Sequence, residues 1–182
     1  MVSPGDQYLL AICFDFGDTL ADEATEVKDE THTTLRAELI PGAGELVREL
    51  KRRGYRLALV ADGRPGTYSN VLTQHGLYPL FDAHVISEHL GVEKPDPRMF
   101  TEALDRLGIA KEDYRRTMMV GNNLERDVKG ANALGLISVW LDWAPRRSKT
   151  PADETEVPRH TIKRPLELLN VVDSIERERA GK

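Results

Sequence analysis

With one cysteine, Cys13, no intramolecular disulfide is possible, so this 182-residue chain has to be held by packing and hydrogen bonding, as expected in a reducing compartment such as the cytoplasm. Long hydrophobic runs are missing as well. The most apolar N-terminal stretch, residues 8–14, is too short to span a bilayer and has neither a basic leader nor a small-residue cleavage site, which argues against a membrane partner. Basic residues are not in excess: 25 Lys and Arg face 30 Asp and Glu, a net charge of -5, so no nucleic-acid partner is expected. The five histidines (His32, His75, His84, His89 and His160) are scattered without metal-type pairing, and there is no internal repeat or low-complexity tract.

What is present is a soluble globular composition, 40 % hydrophobic and 30 % charged, at a length that suits one domain over residues 1–182. Strand-length apolar runs at 8–14, 55–61, 83–87, 117–120 and 137–141 alternate with helical patterns at 43–53, 67–75, 97–107 and 125–134. A last periodic helix is predicted over 166–175, with a charged end that frays. Strands alternating with single helices imply right-handed crossovers, a parallel sheet and an α/β three-layer sandwich. Two stretches stand outside this pattern: a polar flap at 21–40 and a long, charged, proline-containing loop at 143–158. Trp140 is expected in the sheet core. Trp143 follows a strand end, where it could line a site mouth or simply pack.

The apolar run at 8–14 ends abruptly on Asp15, followed by Phe16, Gly17, Asp18 and Thr19. The second strand ends at Ala61-Asp62-Gly63, and the fourth at Gly121-Asn122-Asn123 with Asp127 just beyond. Lys94 stands in a Lys-Pro-Asp-Pro segment before a helix. In a parallel sheet all strand ends of one sense meet at one edge, where open α/β sheets bind ligands. An Asp, a Lys and further oxygen donors suit phosphoryl chemistry, and Mg²⁺ favours one or two carboxylates, other oxygens and several waters.

These segments, in this order from Ile12 to Leu141, resemble the haloacid dehalogenase (HAD) superfamily of hydrolases: an Asp-x-x-x-Thr-Leu end to strand 1, a Pro-Gly-led helix, Lys-Pro-Asp-Pro, and Gly121-Asn122-Asn123 through Asp127 followed by Gly130 to Gly135. The resemblance implies a Rossmann-like HAD fold and a phosphorylated substrate. Asp15 would be the nucleophile forming an aspartyl-phosphate, and Lys94 would steady both nucleophile and phosphate. Ala61 and Asp62, with Lys94, would lie at the phosphate-binding edge. Asp15, the carbonyl of Gly17, Asn122 and Asp127 would form the Mg²⁺ site.

Three positions depart from the family's phosphatase pattern. Gly17 stands where a general acid/base Asp is usual, Ala61 where a Ser or Thr hydroxyl is usual, and Asn122 where an Asp is usual. Loss of a general acid/base costs about 10²–10⁴-fold in rate, so turnover is expected to be slow. Asp18, displaced by one residue, is the candidate replacement acid/base, with Asp22, Glu23 and Glu26 following in the flap. The segments after strands 1 and 2 are too short for a cap domain, so the capless type is expected, with a bulky substrate or a homo-oligomer covering the open face. Arg146, Arg147 and Lys149 are then candidate contacts for anionic groups beyond the reacting phosphate. Two other functions fit these residues: a catalytically weakened module that binds a phosphorylated ligand or a protein partner, and a carbon–halogen or carbon–phosphorus hydrolase.

Overall fold

The computed structural model describes residues 7–180. The apolar runs become strands: β1 (Ala11–Phe14) comes first, followed by a two-stranded hairpin, β2 (Val27–Lys28) and β3 (Thr34–Arg36). Then follow α1 (Ala43–Arg52), β4 (Arg56–Ala61), α2 (Pro65–Gln74), β5 (Ala83–Ile86), the single turn α3 (Ser87–Leu90) and α4 (Pro97–Arg106). The second half contains β6 (Thr117–Gly121), α5 (Lys129–Ala133), β7 (Ile137–Leu141), β8 (His160–Ile162) and α6 (Glu167–Ala180). Six strands form one sheet in the order β5-β4-β1-β6-β7-β8, and all neighbours are parallel.

Strand period 2 divides the core in two. Ile12 and Phe14 of β1, with Leu57 and Leu59 of β4, pack under α1, α2 and α6 through Leu46, Leu50, Leu72 and Leu168. The alternate residues Ala11, Cys13, Ala58 and Val60 pack under α4 and α5 through Phe100, Leu104 and Ala131. Strands buried on both faces read as near-continuous apolar runs, which is why these four-to-six-residue strands stand out in the sequence. Cys13 is a core residue, and burial pushes its thiol up to about 12.

Several predicted boundaries change, each for a local reason. The flap at 21–40 carries the β2–β3 hairpin, held to α2 by Thr34 N–H to Thr67 Oγ1 (3.0 Å) and Asn70 Nδ2 to the Thr34 carbonyl (3.0 Å). The helix expected at 125–134 opens as a π turn, Leu124–Val128, capped by Asn123, whose Oδ1 accepts from Glu125 and Arg126 N–H. The last helix extends past residue 175, to Ala180. Glu176 turns inward and accepts from the Tyr8 and Leu9 N–H groups (2.7 and 3.0 Å) and from Tyr55 Oη (3.1 Å). The loop at 143–158 contains a short 3₁₀ turn at Glu154–Glu156, anchored by Asn132 Nδ2 to the Thr155 and Val157 carbonyls (2.9 Å each), and it leads into β8. Among the described residues no helix is long and apolar enough to cross a membrane.

Candidate active site

The backbone N–H of Asp15 donates to the Val120 carbonyl at 2.9 Å, continuing the β1–β6 ladder one residue past Phe14 and delivering the carboxylate to the C-terminal edge of the sheet. Lys94 Nζ donates to Asp15 Oδ1 at 2.7 Å and to Asp127 Oδ1 at 2.6 Å. Thr19 Oγ1 donates to Asp15 Oδ2 at 3.3 Å. Lys94 is held in turn from the residue that follows β4: its N–H donates to Asp62 Oδ1 at 2.9 Å, while Asp62 Oδ2 accepts from Arg126 Nη1 at 3.0 Å. Asp62 therefore ties the lysine loop, through Oδ1, to the Leu124–Val128 turn, through Oδ2.

Asp127 reaches the same lysine from the π turn. Gly121 makes room for it, because a Cβ there would lie 2.6 Å from Asp127 Cβ. Asn123 N–H donates to Asp127 Oδ2 at 3.0 Å. Asn122 is buried apart from its face on the pocket, and its carbonyl accepts from Trp140 Nε1 at 3.0 Å. Trp140 is thus a buried sheet residue as expected, and Trp143 packs against the core.

The centre of the site is one ammonium between two carboxylates. Burial alone would depress the Lys94 ammonium, but Asp127 and Asp15 outweigh it and hold Lys94 well above the ordinary lysine value. Burial and the neighbouring Asp15 carboxylate push Asp127 up, against the opposing pull of Lys94. Two carboxylates thus share one ammonium. Asp15, Gly17, Asn122 and Asp127 line one pocket and offer carboxylate, carbonyl and amide oxygens. That donor set fits Mg²⁺ with waters completing its shell.

The pocket has a volume of about 360 Å³. It gathers Asp15, Gly17, Asp62, Lys94, Asn122 and Asp127 from the sequence-predicted set. Two predicted residues lie elsewhere. Asp18 is fully buried with φ 51°, and its carboxylate takes Arg146 Nε and Nη2 at 2.6 Å each, so it cannot serve as the replacement acid/base. Ala61 is 1 % exposed and belongs to the core against α1 and α2, so it supplies no phosphate-binding surface. The predicted basic cluster is divided. Arg146 is committed to Asp18, Lys149 pairs with Asp142, and only Arg147 faces the pocket. Arg64, Arg126, Lys28 and His32 were not singled out in the sequence, yet they also line it. Only Arg126 carried a signal, lying inside the Gly121–Asp127 motif.

From the flap comes Glu23. Its N–H donates to Asp18 Oδ1 at 3.2 Å and its side chain enters the pocket. Burial, followed by the Asp18 carboxylate, raises its pKa above the ordinary value, with Arg147 opposing.

A family model described as haloacid dehalogenase-like hydrolase matches residues 21–135. The chain is 35 % identical over 130 residues to a glyceraldehyde 3-phosphate phosphatase of Methanopyrus kandleri, covering 71 % of this chain and 54 % of that protein. It is 38 % identical over 123 residues to a phosphoserine phosphatase of Thermus thermophilus, covering 68 % and 47 %. The chain thus spans about half the length of the curated relatives it matches. In three dimensions it is similar to a HAD phosphatase from Thermococcus onnurineus, with a TM-score of 0.73 at 18 % identity, over 90 % of this chain and 98 % of that one.

Proposed function

This chain belongs to the haloacid dehalogenase-like hydrolase family, and on that premise we propose that it hydrolyses phosphate monoesters, with Asp15 as nucleophile and Mg²⁺ as its metal. The observation that carries this reading is the Lys94 ammonium shared between Asp15 and Asp127 at the C-terminal edge of the sheet. The names of the matched relatives support a phosphorylated substrate.

In this reading Asp15 attacks phosphorus, an O–P bond to its carboxylate forms, and the ester O–P bond breaks. Water then cleaves the aspartyl-phosphate and regenerates Asp15. Lys94 and Thr19 fix the carboxylate rotamer, so the attacking oxygen is oriented before the substrate arrives. Mg²⁺, held by Asp15, the Gly17 carbonyl, Asn122 and Asp127, would supply charge neutralisation at the phosphoryl oxygens. Arg64, Arg126 and Arg147 on the pocket wall favour an ester that carries further anionic or polar groups. The chain is of the capless type, its open face completed by the substrate's own bulk or by a second copy.

Turnover is slow in this reading, because the alanine at position 61 offers no hydroxyl to the phosphate and Asn122 removes a carboxylate from the metal site. The same residues favour a second reading, a module that holds a phosphorylated ligand in its ground state without turning it over. One experiment separates the two. Aryl phosphate turnover by the wild-type chain should require Mg²⁺, disappear on chelation, and fall by at least about 10³-fold in Asp15→Asn with the melting temperature retained. Phosphate binding with no turnover would favour the module. Turnover unchanged in Asp15→Asn would overturn the nucleophile assignment.

A further inference from the structure

The Glu23 side chain occupies the place that a side chain on Gly17 would start to fill. A Cβ built on Gly17 would lie 2.9 Å from Glu23 Cδ and 3.0 Å from its Cγ, and closer still to Oε1. No other residue is among the three nearest atoms. Gly17 is not one of the positive-φ glycines, so its backbone does not demand glycine. What the glycine leaves open is volume, and the Glu23 carboxylate fills it. We propose that Glu23, reaching in from the flap, is the general acid and base of the reaction, taking the place of the carboxylate that position 17 lacks. The proposal rests on the phosphatase reading above.

The chain builds this placement deliberately. After Gly17 the backbone turns back on itself: Leu20 and Ala21 N–H donate to the Phe16 carbonyl at 2.8 and 3.1 Å, and Gly17 forms a β-bridge with Ala21. Asp18, at the left-handed apex of that turn, accepts the Glu23 N–H and is clamped by Arg146. Asp22 caps the 3₁₀ turn Glu23–Thr25 by accepting from Ala24 N–H at 2.9 Å. The base of the Glu23 side chain is thus fixed from both sides; the side chain, 30 % exposed, lines the pocket shared with Asp15, with Arg147 Nη2 and Arg146 Nε 4.0 and 3.9 Å from its two oxygens. Asp18 is a positioning residue here.

The protons balance. As Asp15 attacks and the ester O–P bond breaks, Glu23 as a carboxylic acid gives its proton to the departing alkoxide. As a carboxylate it then takes a proton from the water that attacks the aspartyl-phosphate. Inorganic phosphate leaves, and both Asp15 and protonated Glu23 are restored.

The test uses the full chain with two probes, 4-nitrophenyl phosphate and an alkyl phosphate such as glycerol phosphate. The nitrophenolate leaves without help, whereas the alkoxide needs a proton. Glu23→Gln should lower kcat/KM for the alkyl ester by about 10²-fold or more and for the aryl ester by much less. With the aryl ester it should also accumulate a phosphorylated protein, visible by intact mass, because the second step lacks its base. Gly17→Asp alone crowds two carboxylates into one volume and should gain no rate. Glu23→Ala combined with Gly17→Asp moves the carboxylate to position 17 and should recover most of the activity lost in Glu23→Ala. Equal effects on both esters, or a double variant no better than Glu23→Ala alone, would overturn the assignment to Glu23. A wild-type chain inert on both esters would overturn the phosphatase reading, and this assignment with it.

Discussion

Asp18 combines a left-handed backbone with complete burial, two features that persist in a non-glycine residue only when its surroundings insist on them. The guanidinium of Arg146 is what insists, since it supplies both close partners of the carboxylate. Arg146→Ala leaves the Asp18 carboxylate with one backbone N–H and whatever water enters where the 37 % exposed guanidinium stood, and a loss of about 1–2 kcal/mol in unfolding free energy is expected. Asp18→Asn in that background should recover part of the loss, which chemical denaturation of the two variants would measure. At this scale the sequence was legible wherever a side chain follows directly from a strand end. Asp15, Asp62, Asn122 and Asp127 needed only the parallel sheet to be brought together. Glu23 was one acid among several in the flap, and nothing in its neighbours announces the turn at Asp18 that aims it.

The hairpin of β2 and β3 has little core of its own. Thr34 is its one buried residue, while Val27 and Leu35 are exposed. Its position depends on α2, through Asn70 and Thr67, with Gln74 Oε1 accepting from Ala37 N–H at 3.2 Å and His75 Nε2 meeting the Ala37 carbonyl at 2.7 Å. Asn70→Ala should cost about 1 kcal/mol locally, raising amide hydrogen exchange across residues 27–36 while leaving the sheet strands protected. The dependence explains why the hairpin did not show in the sequence: with its residues facing solvent or a neighbouring helix, no period-2 alternation is written into them. β8 is hidden for a similar reason, since only Ile162 of its three residues is buried and its pairing with β7 is made by backbone groups. The π turn at Leu124–Val128 is a choice of backbone hydrogen bonds, to which side-chain spacing is blind.

Across the whole molecule, Glu176 joins the last helix to the approach of β1 and to the start of β4 through Tyr55. Burial and the Glu176 carboxylate raise Tyr55 above the ordinary tyrosine value, and burial with the Asp15 carboxylate does the same for Tyr68. A raised folded-state value means that the stability these phenols contribute is fully present below the unfolded value of about 10 and is lost as pH rises past it. Denaturation midpoints should therefore fall above about pH 10, and Tyr55→Phe should flatten part of that decline. The parallel architecture itself was readable from length and alternation, because each central strand is apolar on both faces. The strand order adds a consequence for biosynthesis. β1 lies between β4 and β6, and β6 is made much later than β4. While the chain is emerging from the ribosome, one edge of β1 stays unpaired and Asp15 has no Asp127 across from it. A nascent or truncated chain that ends before β6 therefore lacks the Lys94–Asp127 pair and is sticky, with an open strand edge ready to pair with another chain. The Lys94–Asp15–Asp127 cluster can be assembled only once β6 and the turn after it have been made.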